Sequence, residues 1–217
     1  LNNADSVVRE YSLTKGAPFN TLPQFLCMEL MDHLYHKIFV DYVVSPSIKP
    51  SSHRRSGHTE SVGPIVRPQY LAHSERRTSR DGRVMVMLSG SKFGTIVSFS
   101  RPSFEFEIDV IGRAAPVGAI NTKGLNYHGK IVDTHHLAAD ADLMIVNGGF
   151  SAVSEAVMLR KPVVVIPVPK HAEQWVNAKS VVDLGIGMTA TEENLEIAML
   201  AAWERLDEFN QAYAELR

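Results

Sequence analysis

The chain has 217 residues, 22 basic and 24 acidic side chains, and a formal net charge of -2. Hydrophobic residues make up 45% and charged residues 21%, enough apolar chain for a sizeable core, which excludes a strongly basic nucleic-acid binder and a highly charged disordered chain. One cysteine, Cys27, excludes an intramolecular disulfide framework, and no apolar run approaches the roughly 18 residues that a membrane-spanning helix needs.

The chain opens on Leu1, without a basic-then-apolar leader. We therefore expect a piece of a longer protein, with no signal peptide. In the first 45 residues, Leu26, Leu30, Leu34 and Ile38 recur at four-residue intervals, predicting a helix over residues 25–38 with one apolar stripe. Residues 39–44 are β-branched and aromatic and predict a short strand. Residues 46–82 read as a linker, broken by Pro46, Pro50, Pro64 and Pro68 and diluted by serine. Basic residues outnumber Glu60, Glu75 and Asp81 there. No aromatic side chains interleave with Arg54-Arg55 or Arg76-Arg77, as a single-strand groove would require, so a solvated connector is expected and no nucleic-acid partner.

From residue 83 onward, apolar runs alternate with helical patterns. Val84-Met85-Val86-Met87-Leu88 predicts a strand buried on both faces, ending at Ser89-Gly90-Ser91. Residues 105–112 alternate and predict a more exposed strand, while residues 143–146 and 162–167 predict two more buried ones. Helices are expected over residues 151–160 and 172–184, the second closed by Gly185 at its C-cap. The alternation predicts an α/β fold, a doubly wound parallel sheet over residues 83–190. Leu195, Met199, Ala202, Leu206, Phe209, Tyr213 and Leu216 recur at spacings of four and three. They predict one long amphipathic helix over residues 191–217 that packs on the body of the protein.

Chemistry concentrates where the strand Leu143-Met144-Ile145-Val146 runs into Asn147-Gly148-Gly149-Phe150-Ser151. Paired glycines let the chain turn tightly or let a ligand approach the backbone. The helix behind them offers unpaired N–H groups and a positive dipole end, the makings of a phosphate site. Ser151 can donate to a phosphate oxygen; equally, the segment can be an ordinary strand-to-helix turn with Ser151 as N-cap. In a doubly wound sheet, the next loop, Pro167-Val168-Pro169-Lys170-His171-Ala172-Glu173-Gln174, lines the same crevice. His171 is a candidate donor to a pyrophosphate or sugar, and Glu173 beside Gln174 can bind several hydroxyls. Glu155, one turn beyond Ser151, can reach ribose hydroxyls. The competing readings are a surface carboxylate for Glu155 and favourable helix-terminal charge for Glu173.

These stretches, with Lys161-Pro162-Val163-Val164-Val165-Ile166-Pro167 and His171-Ala172-Glu173-Gln174-Trp175-Val176-Asn177-Ala178, resemble the donor-binding half of GT-B glycosyltransferases. The nearest pattern is that of the family 28 C-terminal domains, which include the peptidoglycan N-acetylglucosaminyltransferase; UDP-glycosyltransferases carry a more distant version. Upstream, Gly129-Lys130-Ile131-Val132-Asp133, Leu137-Ala138-Ala139-Asp140-Ala141-Asp142 and Val62-Gly63-Pro64-Ile65-Val66-Arg67 join the match. The resemblance implies that Gly148, Gly149 and Ser151 hold a diphosphate, Glu155 binds the ribose diol, and Glu173 with Gln174 contacts the donor sugar. It puts Ile131 where backbone atoms recognise uracil, and Ser89-Gly90 in a loop facing the other domain. It also implies that residues 1–45 are the end of an N-terminal acceptor-binding domain.

The expectation is a hexosyltransferase-type glycosyltransferase that takes a UDP-sugar donor and an acceptor the sequence does not identify, inverting by family analogy. No further cofactor is expected. Two alternatives stay open: a UDP-sugar hydrolase or epimerase of the same fold, and a non-catalytic nucleotide-sugar-binding subunit completed by a partner chain. In the last case the stripe from Leu195 to Leu216 would be an interface, through self-association or a partner subunit. No catalytic base is assigned. His33 and His36 lie three apart on a helix, but no carboxylate or cysteine completes a metal set, and no metal site is expected. Asp140 and Asp142 are read as the polar approach to a strand. The reduced cysteine points to a cytoplasmic location, with peripheral membrane association compatible with it.

Overall fold

A computed structural model describes residues 3–13, 16–49, 54–73, 81–88, 99–113, 123–129 and 133–216, with backbone only for residues 54–56. The N-terminal residues form α1 (Ala4–Leu13) and then α2 (Leu22–Gln24), with Pro23 in its first turn. From α2 the helix continues through a π-helical stretch, Phe25–Leu30, into α3 (Met31–Phe39). The face of this helix that carries Phe25, Glu29, His33 and His36 is the one turned toward α1 and Ala172. Phe25 and Glu29 are consequently buried, while Leu26, Leu34 and Ile38 of the expected stripe are exposed. Phe25 stacks on Tyr11 of α1, their ring centroids 4.0 Å apart.

The short strand expected over residues 39–44 starts four residues later, as β1 (Val43–Pro46). β2 (Arg54–Ser56) and β3 (Thr59–Val62) complete a small sheet in the order β1-β3-β2. β1 is parallel to β3, and β2 antiparallel to it. α4 (Pro68–Leu71) follows and buries Tyr70. Residues 46–82 are therefore not a plain linker. Their strands carry no apolar alternation of their own and exist because β3 pairs with β1, a partner that local sequence does not reveal.

The main sheet is built from β4 (Arg83–Met87), β5 (Ser103–Ile111), β6 (Lys123–Gly129), β7 (Leu143–Asn147), β8 (Val163–Ile166) and β9 (Gly187–Thr189). All pair in parallel, in the order β6-β5-β4-β7-β8-β9. This is the expected doubly wound sheet; β6 and β9 are strands the sequence pattern did not predict. α5 (His135–Asp140), α6 (Phe150–Met158) and α7 (Ala172–Asp183) cover one face. The expected C-cap is present: Gly185 takes φ +69° after α7.

Period-two alternation decides which strand residues meet which helices. Val84, Val86, Leu143, Ile145, Val164 and Ile166 pack in one cluster with α8 (Leu195–Glu204), through Leu195, Ala198, Met199 and Ala202. Met85, Met144, Val146, Val163 and Val165 pack in the other cluster with Ala138, Val153, Ala156, Ala178 and Val181. Each fully buried Val, Leu or Ile contributes about 1.5–3 kcal/mol over exposure, so both faces of the sheet are strongly held.

The expected single C-terminal helix is two. α8 stops at Arg205, whose φ −102° and ψ 12° leave the helical range, and α9 (Leu206–Glu215) starts in a new direction. The break lets one stripe serve both faces: Phe209 joins the α8 cluster, while Tyr213 joins the other, its hydroxyl donating to Lys161 O at 2.9 Å. No described helix is long and apolar enough to cross a membrane.

Candidate functional site

β4 and β7 are neighbours, but the chain leaves β4 toward β5 and returns to β7 to continue toward β8. Such a reversal opens a crevice at the carboxyl ends of the strands, where ligands bind in open α/β sheets. Two of its loops are described, the one after β7 and the one after β8. Ser89, Gly90 and Ile131 lie outside the described residues.

Gly148 follows β7, and its role is steric. A Cβ there would sit 2.6 Å from Gln174 O and 2.8 Å from Gln174 Cβ, so only glycine lets the loop press against the start of α7. Asn177 reinforces the contact by donating to Gly148 O at 2.9 Å. Gly149 differs. It is the N-cap of α6, at φ −63° and ψ 139°, and no atom lies within 4 Å of a Cβ built there. Space is therefore open beside the Gly149 backbone, and this N-cap makes no side-chain hydrogen bond to the start of α6. Ser151 is not the N-cap; it lies inside the first turn of α6 and is exposed.

Glu155 is not a surface carboxylate. Its side chain is 4% exposed, and it accepts a hydrogen bond from Arg67 Nε at 2.8 Å. Arg67 also donates from Nη2 to the Tyr70 hydroxyl at 2.9 Å, and Tyr70 meets Thr134 Oγ1 at 2.8 Å. A buried carboxylate needs such a partner, since an unpaired charge there would be strongly destabilising. The bond to Glu155 pushes the Arg67 guanidinium above its ordinary value, and burial does the same for the Tyr70 hydroxyl. Arg67 itself is 49% exposed, so it can turn to solvent while Glu155 cannot. Arg67 is the residue that sequence reasoning missed. Its stretch, Val62 to Arg67, was part of the resemblance, but nothing local pointed to a partner 88 positions away.

The loop after β8 brings in His171, Glu173 and Gln174. Gln174 turns back, its Oε1 accepting from Val168 N at 2.9 Å. Glu173 accepts from Asn3 Nδ2 at 2.9 Å, and the Ala172 N–H that opens α7 donates to Gln24 Oε1 at 2.8 Å. Gln24 also donates to Glu29, whose carboxyl is held above its ordinary value, chiefly by burial and further by the charge of Glu173. The N-terminal segment thus closes the start of α7. Among the described residues, His171 Nδ1 and Asn147 Oδ1 are buried without a hydrogen-bond partner, which in a crevice marks groups that a ligand or water satisfies. Asn147 lines a cleft of about 260 Å³ with Ile166, Pro167, Val168, Thr191 and Glu192.

The remaining candidates resolve into structural roles. Asp142 accepts the Arg83 N–H at 3.0 Å, as expected of a residue leading into a strand. A carboxylate does reach both His33 and His36, from Asp5 of α1. Its Oδ1 meets His33 Nδ1, and its Oδ2 meets His36 Nδ1 at 3.0 Å, tying α1 to α3.

The fold has counterparts among known proteins. An uncharacterised glycosyltransferase of Methanopyrus kandleri is 32% identical over 153 residues, covering 64% of this chain and 44% of its own. The spinosyn forosaminyltransferase SpnP shares the fold with a TM-score of 0.57 at 14% identity, over 98% of this chain and 61% of that one. The Streptomyces sp. SF2575 glycosyltransferase SsfS6, in complex with thymidine diphosphate, gives a TM-score of 0.50 at 18% identity, over 87% of this chain and 52% of that one. The chain thus spans less than half the length of the Methanopyrus relative and less than two thirds of these two structures. The expected GT-B resemblance and parallel α/β fold are borne out. The family profile described as Glycosyl transferase family 1 matches residues 36–205, and the chain belongs to that family.

Proposed function

We propose that this chain holds the nucleotide-sugar donor, a UDP-sugar, of a glycosyl transfer to a separate acceptor. The observation that carries the reading is the open start of α6 behind Gly149, beside the buried carboxylate of Glu155. The diphosphate sits against the α6 N–H groups, with Ser151 in reach. Glu155 takes the ribose diol once Arg67 swings toward solvent or the phosphates. His171, Glu173 and Gln174 stand on the sugar side. The acceptor hydroxyl attacks the anomeric carbon as the bond from that carbon to the diphosphate breaks. Its proton passes to a base on the acceptor side. The leaving diphosphate gains negative charge, which the fixed N–H groups and dipole of α6 stabilise without reorganising. The SsfS6 complex supports a pyrimidine nucleoside diphosphate as the ligand type.

The exposed apolar side chains of the π-helical stretch and α3, among them Leu26, Met31, Leu34 and Ile38, favour an acceptor-binding half, in the same or another chain, that covers this face. Calorimetric titration with UDP, against ADP, GDP and TDP, tests the donor site. Micromolar UDP binding weakened at least about tenfold in Glu155→Ala supports the reading. Absence of nucleotide binding by the folded protein defeats it.

A further inference from the structure

Away from the α6 terminus, three histidines converge from two separate segments. His73 follows α4, and His135 and His136 open α5. One ring nitrogen from each lies within 4.8 Å of the other two. The ring centroids are 3.8 Å apart for His135 and His136, 5.2 Å for His73 and His135, and 5.3 Å for His73 and His136. His135 is buried, His73 half-buried and His136 exposed, so the cluster opens to solvent on one side.

Asp133 decides what this cluster can do. The His135 Nδ1–H donates to its carboxylate, which fixes the tautomer and leaves the Nε2 lone pair as the ring's remaining donor atom. A carboxylate behind an imidazole in this way orients the ring and raises its basicity as a metal ligand. Three imidazoles and one solvent-facing position are a ligand set for a tetrahedral ion such as Zn²⁺, with metal–nitrogen distances of about 2.0–2.1 Å. Imidazole ligands of this kind favour zinc, copper or nickel over magnesium or calcium, which take oxygen. Closing the present separations to that geometry needs small rotations of the His73 and His136 rings, which are the two less buried. At His33 and His36, Asp5 likewise engages the Nδ1 of each ring, but that group brings only two imidazoles together.

We propose that His73, His135 and His136 form a binding site for a divalent transition metal ion, Zn²⁺ by its chemistry, with Asp133 as the orienting carboxylate. The site joins α4 to α5. Thr134, between Asp133 and His135, bonds Tyr70, and Tyr70 bonds Arg67, the partner of Glu155. A bound ion would therefore fix the segment that carries Arg67. It has no part in stabilising the leaving diphosphate, and the site stands or falls independently of the donor reading.

The test is a calorimetric titration of the tag-free, EDTA-dialysed chain with Zn²⁺ alone, comparing wild type with His73→Ala, His136→Ala, Cys27→Ser and His36→Ala. Neither His73 nor His136 is fully buried, so their replacement leaves the core filled. The expected result is one Zn²⁺ per chain at micromolar or tighter affinity, weakened more than about tenfold in His73→Ala and His136→Ala and unchanged in the other two. Co²⁺ in place of zinc should give a visible d–d spectrum that the same two variants lose. Absence of zinc binding by the wild type overturns the proposal. So does binding that survives both His73→Ala and His136→Ala, or that disappears with Cys27→Ser or His36→Ala.

Discussion

α6 and α7 both start from loops at the carboxyl edge of the parallel sheet, behind adjacent strands, yet their first N–H groups have different fates. Ahead of α6 stands Gly149, with open space where a side chain would be. Ahead of α7 the protein supplies its own partners: Gln24 takes the Ala172 N–H, and Asn3 binds Glu173. A helix terminus left open in a crevice is available to an anion, whereas one capped from within the chain is a structural joint. The two are coupled through Gly148, whose backbone touches Gln174 and accepts from Asn177. Any ligand at α6 therefore rests against a wall that the N-terminal segment holds in place.

The largest expected effect comes from breaking the coupling. Gly148→Ala forces a Cβ into Gln174 backbone at 2.6 Å, where nothing flexible can yield. Displacing α7 should cost about 1–3 kcal/mol in denaturant unfolding and abolish UDP binding in the same preparation. Gly149→Asp tests the open terminus alone. A Cβ fits there, so stability should change by no more than about 0.5 kcal/mol. A carboxylate facing the diphosphate should nonetheless weaken calorimetric UDP affinity about tenfold or more. If Gly149→Asp binds UDP as well as wild type, the contrast between the two helices has no functional meaning.

Smaller effects probe the closed terminus. Gln24→Ala removes the cap from α7 and should cost about 1–2 kcal/mol in thermal or denaturant unfolding, with UDP affinity changed much less than in Gly149→Asp. The smallest effect is expected from Glu29→Gln, read as melting temperature against pH. Burial raises the Glu29 carboxyl above its ordinary value of 4.5, so the folded state holds its proton more tightly than the unfolded chain. The stability this group contributes is fully present below pH 4.5 and is lost as pH rises through its folded value. Glu29→Gln should therefore melt higher than wild type at pH 7, with the advantage shrinking as the buffer is taken toward pH 4. Equal melting temperatures at both pH values would mean that the Glu29 charge does not strain the contact with α7.

Much of the fold was legible because its signals are local. Val163-Val164-Val165-Ile166 can only be a strand covered on both sides, and apolar runs alternating with helices leave few topologies besides a parallel doubly wound sheet. Gly148-Gly149 marked the turn between β7 and α6 for the same reason, since a strand entering paired glycines and a helix is a contiguous pattern. The sequence did not separate the two glycines, one required by the approach of Gln174 and the other by open space. Nor did it show that residues 54–62 are strands, because polar Arg54-Arg55-Ser56 and Thr59-Glu60-Ser61 become strands only by pairing. The apolar stripe of residues 26–38 misled because the neighbouring face, with Phe25, His33 and His36, is the one that meets α1.

By itself, then, the sequence determined the strands β4, β5, β7 and β8, the parallel α/β architecture, the glycine turn behind β7 and family membership, all of which follow from contiguous hydrophobic periodicity and short motifs. The tertiary structure alone decided that Glu155 is buried against Arg67, that Gln24 and Asn3 close α7, and that His73 meets His135 and His136. Arg67 and Glu155 are 88 positions apart, Gln24 and Ala172 148, and Asn3 and Glu173 170. Residues so distant carry no mutual imprint in one sequence. Only the order in which the sheet assembles its strands, and the side of the sheet to which each connection is sent, brings their polar groups within hydrogen-bonding distance.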